Sequence, residues 1–363
     1  MEKRKLQEVG GGTITVSLPH SWAEKHDVSA GTEVFVRSHL DGSLELWVTE
    51  PTVGAFGTLT LEGKDAGTAT DVVRAAFEAG YERVVLNDPD SRGEIERGEL
   101  DTVIRELAGV EITEEPDGKI VIEEVLDATK VSIPQSLRHI HYGLSRLQKR
   151  THEMFENRSR GIEPMIDRNG EIRRGVRRIE RHFTRALRDP AEMDALGEPR
   201  YRLYHYTRIA QLFERAAQQL LELARIQAHS DGQGTETRAL TELFMQASRT
   251  LENGSKAALR ENSVDEARSA LSRRSELHEL ASGRRSALID AGNTDLRTFS
   301  TLDHIAAIGN CGGRIAEISL QMAIGTTNET DGSPERKPNL DLHDLETGVH
   351  SKELASESAG EDE

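Results

Sequence analysis

Apolar residues alternate along roughly the first fifty positions, and from residue 132 they recur every three or four. These two periods separate a strand-bearing part from a helical part. Thr13-Ile14-Thr15-Val16-Ser17-Leu18 has the alternation of a half-buried strand, and Gly10-Gly11-Gly12 divides it from Arg4-Lys5-Leu6-Gln7-Glu8-Val9. Pro19-His20-Ser21-Trp22 predicts a one- to two-turn helix, because proline suits a first turn where no N–H is needed. Val34 and Val36 alternate along a third strand, and Leu44, Leu46 and Val48 along a fourth. Between them Asp41-Gly42 supplies the positive φ of a tight turn. Two hairpins joined by a short helix cannot close a core alone, so pairing with a second copy is the natural way to bury them.

The remaining organisation follows from the same reading. Glu50-Pro51 breaks the fourth strand. Residues 55–127 then read β-α-β-α-β-β, with strands at Thr58 to Leu61, Arg83 to Leu86, Val110 to Thr113 and Lys119 to Val125, and helices at Thr70 to Ala79 and Glu99 to Ala108. That order predicts a small α/β layer, with no Gly-rich phosphate fingerprint in it. Residues 131–229 carry three helices. The first starts at the Ser132/Gln135 capping box and has a stripe of Ile133, Leu137, Ile140, Leu144, Leu147 and Met154. The second spans about 171 to 188. The third, 201 to 228, is marked by Leu203, Tyr206, Ile209, Phe213, Ala217, Leu220 and Ala224. Three more, at about 236–260, 263–290 and 298–324, fill residues 235–325. Two sets of three helices with short loops predict two tandem antiparallel three-helix bundles. The polar, acidic stretch 326–363 reads as a disordered tail. The expected fold class is α+β, multidomain.

Charge narrows the function classes. The 363-residue chain has a net charge of −17, with aromatics at 4%. Nucleic-acid binding through a global field is therefore disfavoured, and any DNA contact needs a local basic patch. The acidic balance also fits a high-salt cytoplasm. The single cysteine, Cys311, excludes an intrachain disulfide and a Cys-based zinc site. No apolar run approaches the roughly 20 residues of a membrane span, and no apolar segment follows Met-Glu-Lys-Arg-Lys, so a cytoplasmic protein without membrane insertion is expected.

The basic first strand, the Gly turn, T-x-T-V-S-L-P-x-x-W and Ala30-Gly31-Thr32-Glu33-Val34 together resemble the AbrB/SpoVT swapped-hairpin DNA-binding domain over residues 3–48. The resemblance implies an intertwined homodimer, a swapped-hairpin β-barrel, that lays its hairpin loops and short helix on DNA. Phe213-Glu214-Arg215-Ala216-Ala217-Gln218 and Cys311-Gly312-Gly313-Arg314-Ile315-Ala316-Glu317-Ile318 resemble the third-helix segments of the PhoU family, regulators of phosphate uptake built from two three-helix bundles. The domain order as a whole resembles the prokaryotic, especially archaeal, AbrB–PhoU fusion regulators.

Candidate sites follow. For DNA, Lys3, Arg4 and Lys5 cluster at the start, Thr13 and Thr15 share a strand face, and His20 and Lys25 lie on the short helix. Hydroxyls and basic groups of this kind position phosphates, although Glu8, Glu24 and Asp27 lie among them. Resemblance to PhoU implies metal sites made by E-x-x-x-D pairs, suited to divalent cations. Here those positions read Glu214 with Gln218 and Asn310 with Arg314, leaving Glu214 as a remnant, so no cofactor is expected. Arg173, Arg177, Arg181 and Arg185 recur at four-residue spacing on the second helix. They read either as a docking strip for an acidic partner or as a stripe paired with nearby carboxylates. No nucleophile elbow, P-loop or metalloprotease helix occurs, so an enzyme is not expected. Two functions stand: a homodimeric, DNA-binding transcriptional regulator of phosphate uptake, or an adaptor docking on a phosphate transporter ATPase or signalling kinase without binding DNA.

Overall fold

A computed structural model describes residues 3–39, 42–49, 58–62, 66–87, 97–107, 109–114, 119–125, 131–156, 161–229, 235–260 and 264–326. The Glu50-Pro51 break, the Asp117-Gly118 turn, the 230–234 linker and the tail from 327 lie outside them. The chain is α+β and divides into two compact units: Met1–Ile140 with Gly170–Ala210, and His141–Asn169 with Gln211–Glu363. The division cuts through helices α4 (Ile133–Phe155), α5 (Glu163–Ala186) and α7 (Arg200–Ala228) rather than falling between domains read from the sequence.

In the first unit, β1 (Gln7–Val9) pairs antiparallel with β2 (Thr13–Thr15), and β3 (Phe35–Ser38) with β4 (Leu44–Trp47). Gly10, Gly11 and Gly12 all take positive φ, which is why three glycines turn the first hairpin. Between the hairpins runs α1 (His20–Lys25), with Pro19 at its N-cap rather than inside the first turn. The hairpins remain two separate two-stranded ribbons, and no closed barrel forms within one chain among the described residues. No apolar residue of 3–39 or 42–49 is buried.

The α/β layer follows the expected order. Its sheet runs β5 (Thr58–Glu62), β6 (Arg83–Asn87), β8 (Lys119–Glu124), β7 (Val110–Glu114), with β5 parallel to β6 and the other pairs antiparallel. Helices α2 (Ala66–Glu78) and α3 (Arg97–Glu106) cover one face. Val73, Ala76 and Phe77 of α2 and Leu100 and Val103 of α3 pack there on Val84, Leu86 and Ile122.

Ser132 caps α4, its hydroxyl accepting from the Gln135 amide at 3.3 Å. Asp189 ends the α5 segment and starts a helix the sequence reading missed, α6 (Pro190–Leu196). Its carboxylate accepts from the Ala191 amide at 2.8 Å and Pro190 occupies the first turn, so the Asp-Pro pair restarts the chain instead of ending it.

In the second unit α8 (Thr235–Leu259), α9 (Val264–Asp290) and α10 (Leu296–Thr326) pack on one another as a three-helix bundle. Gly254 of α8 and Gly312 of α10 meet backbone to backbone, and a Cβ on Gly312 would lie 2.6 Å from backbone atoms of Thr250 and Leu251. Phe213, Leu220 and Ala224 of α7 and Leu144 and Leu147 of α4 are buried in this unit, as the apolar stripes predict. Cys311 is buried too, and burial pushes its thiol up to about 11, which makes it an inert core residue.

Candidate functional site: an arginine-laced core and an exposed N-terminal surface

The arginine stripe of α5 turns inward. Arg177, Arg181 and Arg185 are buried, so the outward docking strip is not what the fold presents at these positions. Arg173 and Arg174 are half-buried. The reason lies in two helix ends. Helices α2 and α3 stop at Glu78 and Glu106, where the macrodipole concentrates negative charge. Arg181 donates to the Phe77 carbonyl at 2.6 Å, and Arg174 to the Arg105 carbonyl at 3.4 Å. Arg177 donates to Glu106 at 3.2 Å and lies 3.5 Å from Glu78. The stripe thus supplies cations to both C-termini. A periodic basic helix was legible in the sequence; its acidic counterparts at positions 78, 82, 106, 124 and 192 were not, because only the tertiary fold gathers them.

Two arginines form the centre of this core. Arg181 is 0% exposed, grips Glu124 through both carboxylate oxygens at 3.1 and 2.6 Å, and stacks 4.5 Å from the Phe77 ring centroid. Arg185 spreads its three nitrogens over Glu192 (3.2 Å), Glu124 (3.0 Å) and Glu82 (3.0 Å). His182 closes the set against Glu192 at 2.6 Å. Only guanidinium can serve acceptors in so many directions at once.

Burial alone raises the Glu192 carboxyl, but the His182 hydrogen bond and the Arg185, His182 and Arg181 charges outweigh it and hold it below the usual carboxylate range. Glu106 is treated alike: burial raises it, and Arg177 with Arg173 and Arg74 brings it down. A carboxyl depressed by folding contributes stability above its unfolded value, and that stability drains away as pH falls through the folded value. Glu192→Gln is therefore expected to give a flatter fall of the urea midpoint between about pH 6 and pH 3 than the parent chain. An unchanged acid slope would contradict the assignment.

The N-terminal candidates are presented to solvent. Lys3, Arg4, Lys5, Thr13, Thr15, His20 and Lys25 are all exposed. Strand pairing places Thr13 and Thr15 on one face of the first ribbon, opposite Val9 and Gln7. Thr15 donates to the Gln7 carbonyl at 3.2 Å, and His20 lies 3.3 Å from Glu24. Trp22 is half-buried with its ring 5.0 Å from His26.

No protein-family model, curated protein or solved structure matches the chain.

At the positions the PhoU resemblance singles out, Glu214 is half-buried on α7, while Gln218, Asn310 and Arg314 are exposed. Among the described residues no group of three or more His, Cys, Asp or Glu side chains is arranged to hold a metal ion. No helix among them is long and apolar enough to cross a membrane.

The second ribbon is built inside out. Phe35, Arg37, Glu45 and Trp47 share one face, and Val36, Ser38, Leu44 and Leu46 the other. The face with the charged residues is turned to the rest of its unit: Arg37 lies 4.0 Å from Asp189, and Arg200 donates to Glu45 at 3.4 Å. The apolar face is open, with Val36 59% and Leu44 62% exposed. On the first ribbon Leu6 and Ile14 are exposed to 68% and 66%.

Proposed function

We propose that the chain is a homodimeric, DNA-binding transcriptional regulator of phosphate uptake, with an AbrB-like N-terminal region and PhoU-like helices. The observation that carries the dimer is the inverted second ribbon. A lone two-stranded ribbon with its apolar side in water is unstable, and interlacing with the ribbons of a second copy covers Leu6, Ile14, Val36 and Leu44 together. The same step brings two sets of Lys3, Arg4, Lys5, Thr13, Thr15, His20 and Lys25 together, which raises local positive charge within an acidic chain. The phosphate role rests on the resemblance of the helical segments to PhoU. The adaptor reading loses its motivating feature, since the α5 arginines serve internal carboxylates.

Gel-shift and footprinting on phosphate-transport promoters, across a salt series, test the reading. The expected result is a protected site bound by two copies, with affinity falling steeply as salt rises. Arg4→Ala with Lys5→Ala, four positive charges removed per dimer, should weaken binding by about tenfold or more and flatten the salt slope. A monomeric chain that protects no sequence even at low salt would refute it.

A further inference from the structure

Strand β7 ends the α/β sheet. It pairs with β8 on one side, and among the described residues no strand lies on its other side. The Val125 amide donates to the Gly109 carbonyl at 2.8 Å, and the register puts Val110 opposite Glu124. Ladder bonds alternate along an antiparallel pair, so Gly109, Glu111 and Thr113 turn their backbone groups to β8. The N–H and C=O groups of Val110, Ile112 and Glu114 are therefore the ones aimed past the edge. Helix α3 flanks that edge. Leu100 and Val103 are buried between α3 and the sheet, and Glu106 accepts from Arg74 of α2 at 3.2 Å. The opposite flank carries Asp101, Ile104 and Arg105, which with Val110 and Ile112 line an open groove of about 400 Å³. Ile104, Val110 and Ile112 are half-buried, and Arg105 is exposed. The groove thus has an apolar floor, with one carboxylate and one guanidinium at its rim.

We propose that this edge is a self-association surface: β7 pairs antiparallel with β7 of a second copy, about a two-fold axis at Ile112, into one continuous sheet. That register sets Ile112 opposite Ile112 of the second copy and Val110 opposite Glu114 of the second copy. Every outward backbone group then finds its complement, about six new N–H···O bonds. The exposed Glu111 falls opposite Thr113 of the second copy and not opposite its own equivalent, so no two carboxylates share a cross-strand pair. Helices about 10 Å across cover strands about 4.8 Å apart, two strands to a helix, so the continued sheet brings the two α3 helices to packing distance. Counting back from the turn at Gly109, three strand residues and six helix residues each cover roughly 9–10 Å, which sets the axis level with Val103. Asp101 of each copy then meets Arg105 of the other, and the two Ile104 side chains close over the groove. A two-fold surface must complement itself, and an acid and a base placed evenly about the axis do so. The contact is separate from the ribbon pairing and rests on neither that nor DNA binding.

Disulfide cross-linking of the full chain tests it. Cys311 is buried, so the parent chain supplies little background. Ile112→Cys should oxidise to a covalent dimer, because a hydrogen-bonded pair on the axis sets its Cα atoms about 5.5 Å apart, within disulfide range. Thr60→Cys, exposed on β5 at the other end of the sheet, should cross-link at least about tenfold more slowly. Adding Asp101→Arg to Ile112→Cys should slow the cross-link by about tenfold, and adding Arg105→Asp as well should restore it to within about twofold. Equal rates for Ile112→Cys and Thr60→Cys would overturn the contact. So would a charge reversal without effect, or one that the second reversal does not relieve. The cross-link reads neither ribbon pairing nor promoter binding, so its failure and failure of the regulator are told apart.

Discussion

Arg181→Met is expected to lower the unfolding free energy by roughly 3–5 kcal/mol, the cost of removing one partner from a buried ion pair. Methionine matches the stem of the side chain but leaves Glu124 with a single cation, Arg185, and leaves the Phe77 carbonyl with the Gly80 amide as its remaining donor. The cost is dominated by the Glu124 carboxylate left with too little positive charge, not by loss of a favourable pair as such. Arg181→Lys should recover only part of it, because an ammonium on a flexible stem cannot hold both Glu124 oxygens and the Phe77 carbonyl in one plane. Urea denaturation decides the matter: a loss below about 1 kcal/mol for Arg181→Met would mean that the pair is solvated and that the α5 stripe is not a core element.

A single methyl group on Gly312 should be nearly as damaging. Alanine is favoured over glycine in a helix by about 1 kcal/mol. Here that gain is overwhelmed, since the new Cβ would meet backbone atoms of Thr250 and Leu251 at 2.6 Å, and backbone cannot rotate away as a side chain can. The helices α8 and α10 must separate, at about 3 kcal/mol, the upper end of overpacking costs. Gly254→Ala, aimed at the Gly312 carbonyl, should behave alike. Gly283, an exposed glycine in α9 whose added Cβ meets nothing, supplies the contrast: Gly283→Ala should stabilise by up to about 1 kcal/mol. Thermal unfolding of the three variants distinguishes a packing contact from a general intolerance of substitution.

Much of the architecture was written in local periodicity. The α7 stripe of Leu203, Ile209, Phe213 and Leu220 is buried to the last residue, and the β-α-β-α-β-β order of the small layer emerges with its strands within a residue or two of their expected places. Local pattern suffices there because a helix stripe or a strand face needs only its own spacing. It fails where two readings share one local signal. Asp189-Pro190 looks the same whether a helix stops or another begins, and only the Ala191 amide bonded to Asp189 separates them. The α5 arginines look the same whether they meet water or glutamates from positions 78, 82, 106 and 124.

The dependence of α2 and α3 on arginines supplied by α5 bears on how the chain comes off the ribosome. The Phe77 carbonyl precedes its arginine donor, Arg181, by 104 residues, and the Arg105 carbonyl precedes Arg174 by 69. Synthesis proceeds from the N-terminus at about 5–20 residues per second. For several seconds, therefore, the nascent α/β layer exists without the arginines that close over the ends of α2 and α3, and its last packing step waits until α5 emerges. A fragment that stops before residue 170 would stay in that unfinished condition, so this layer is unsuited to transplantation as an independent cassette.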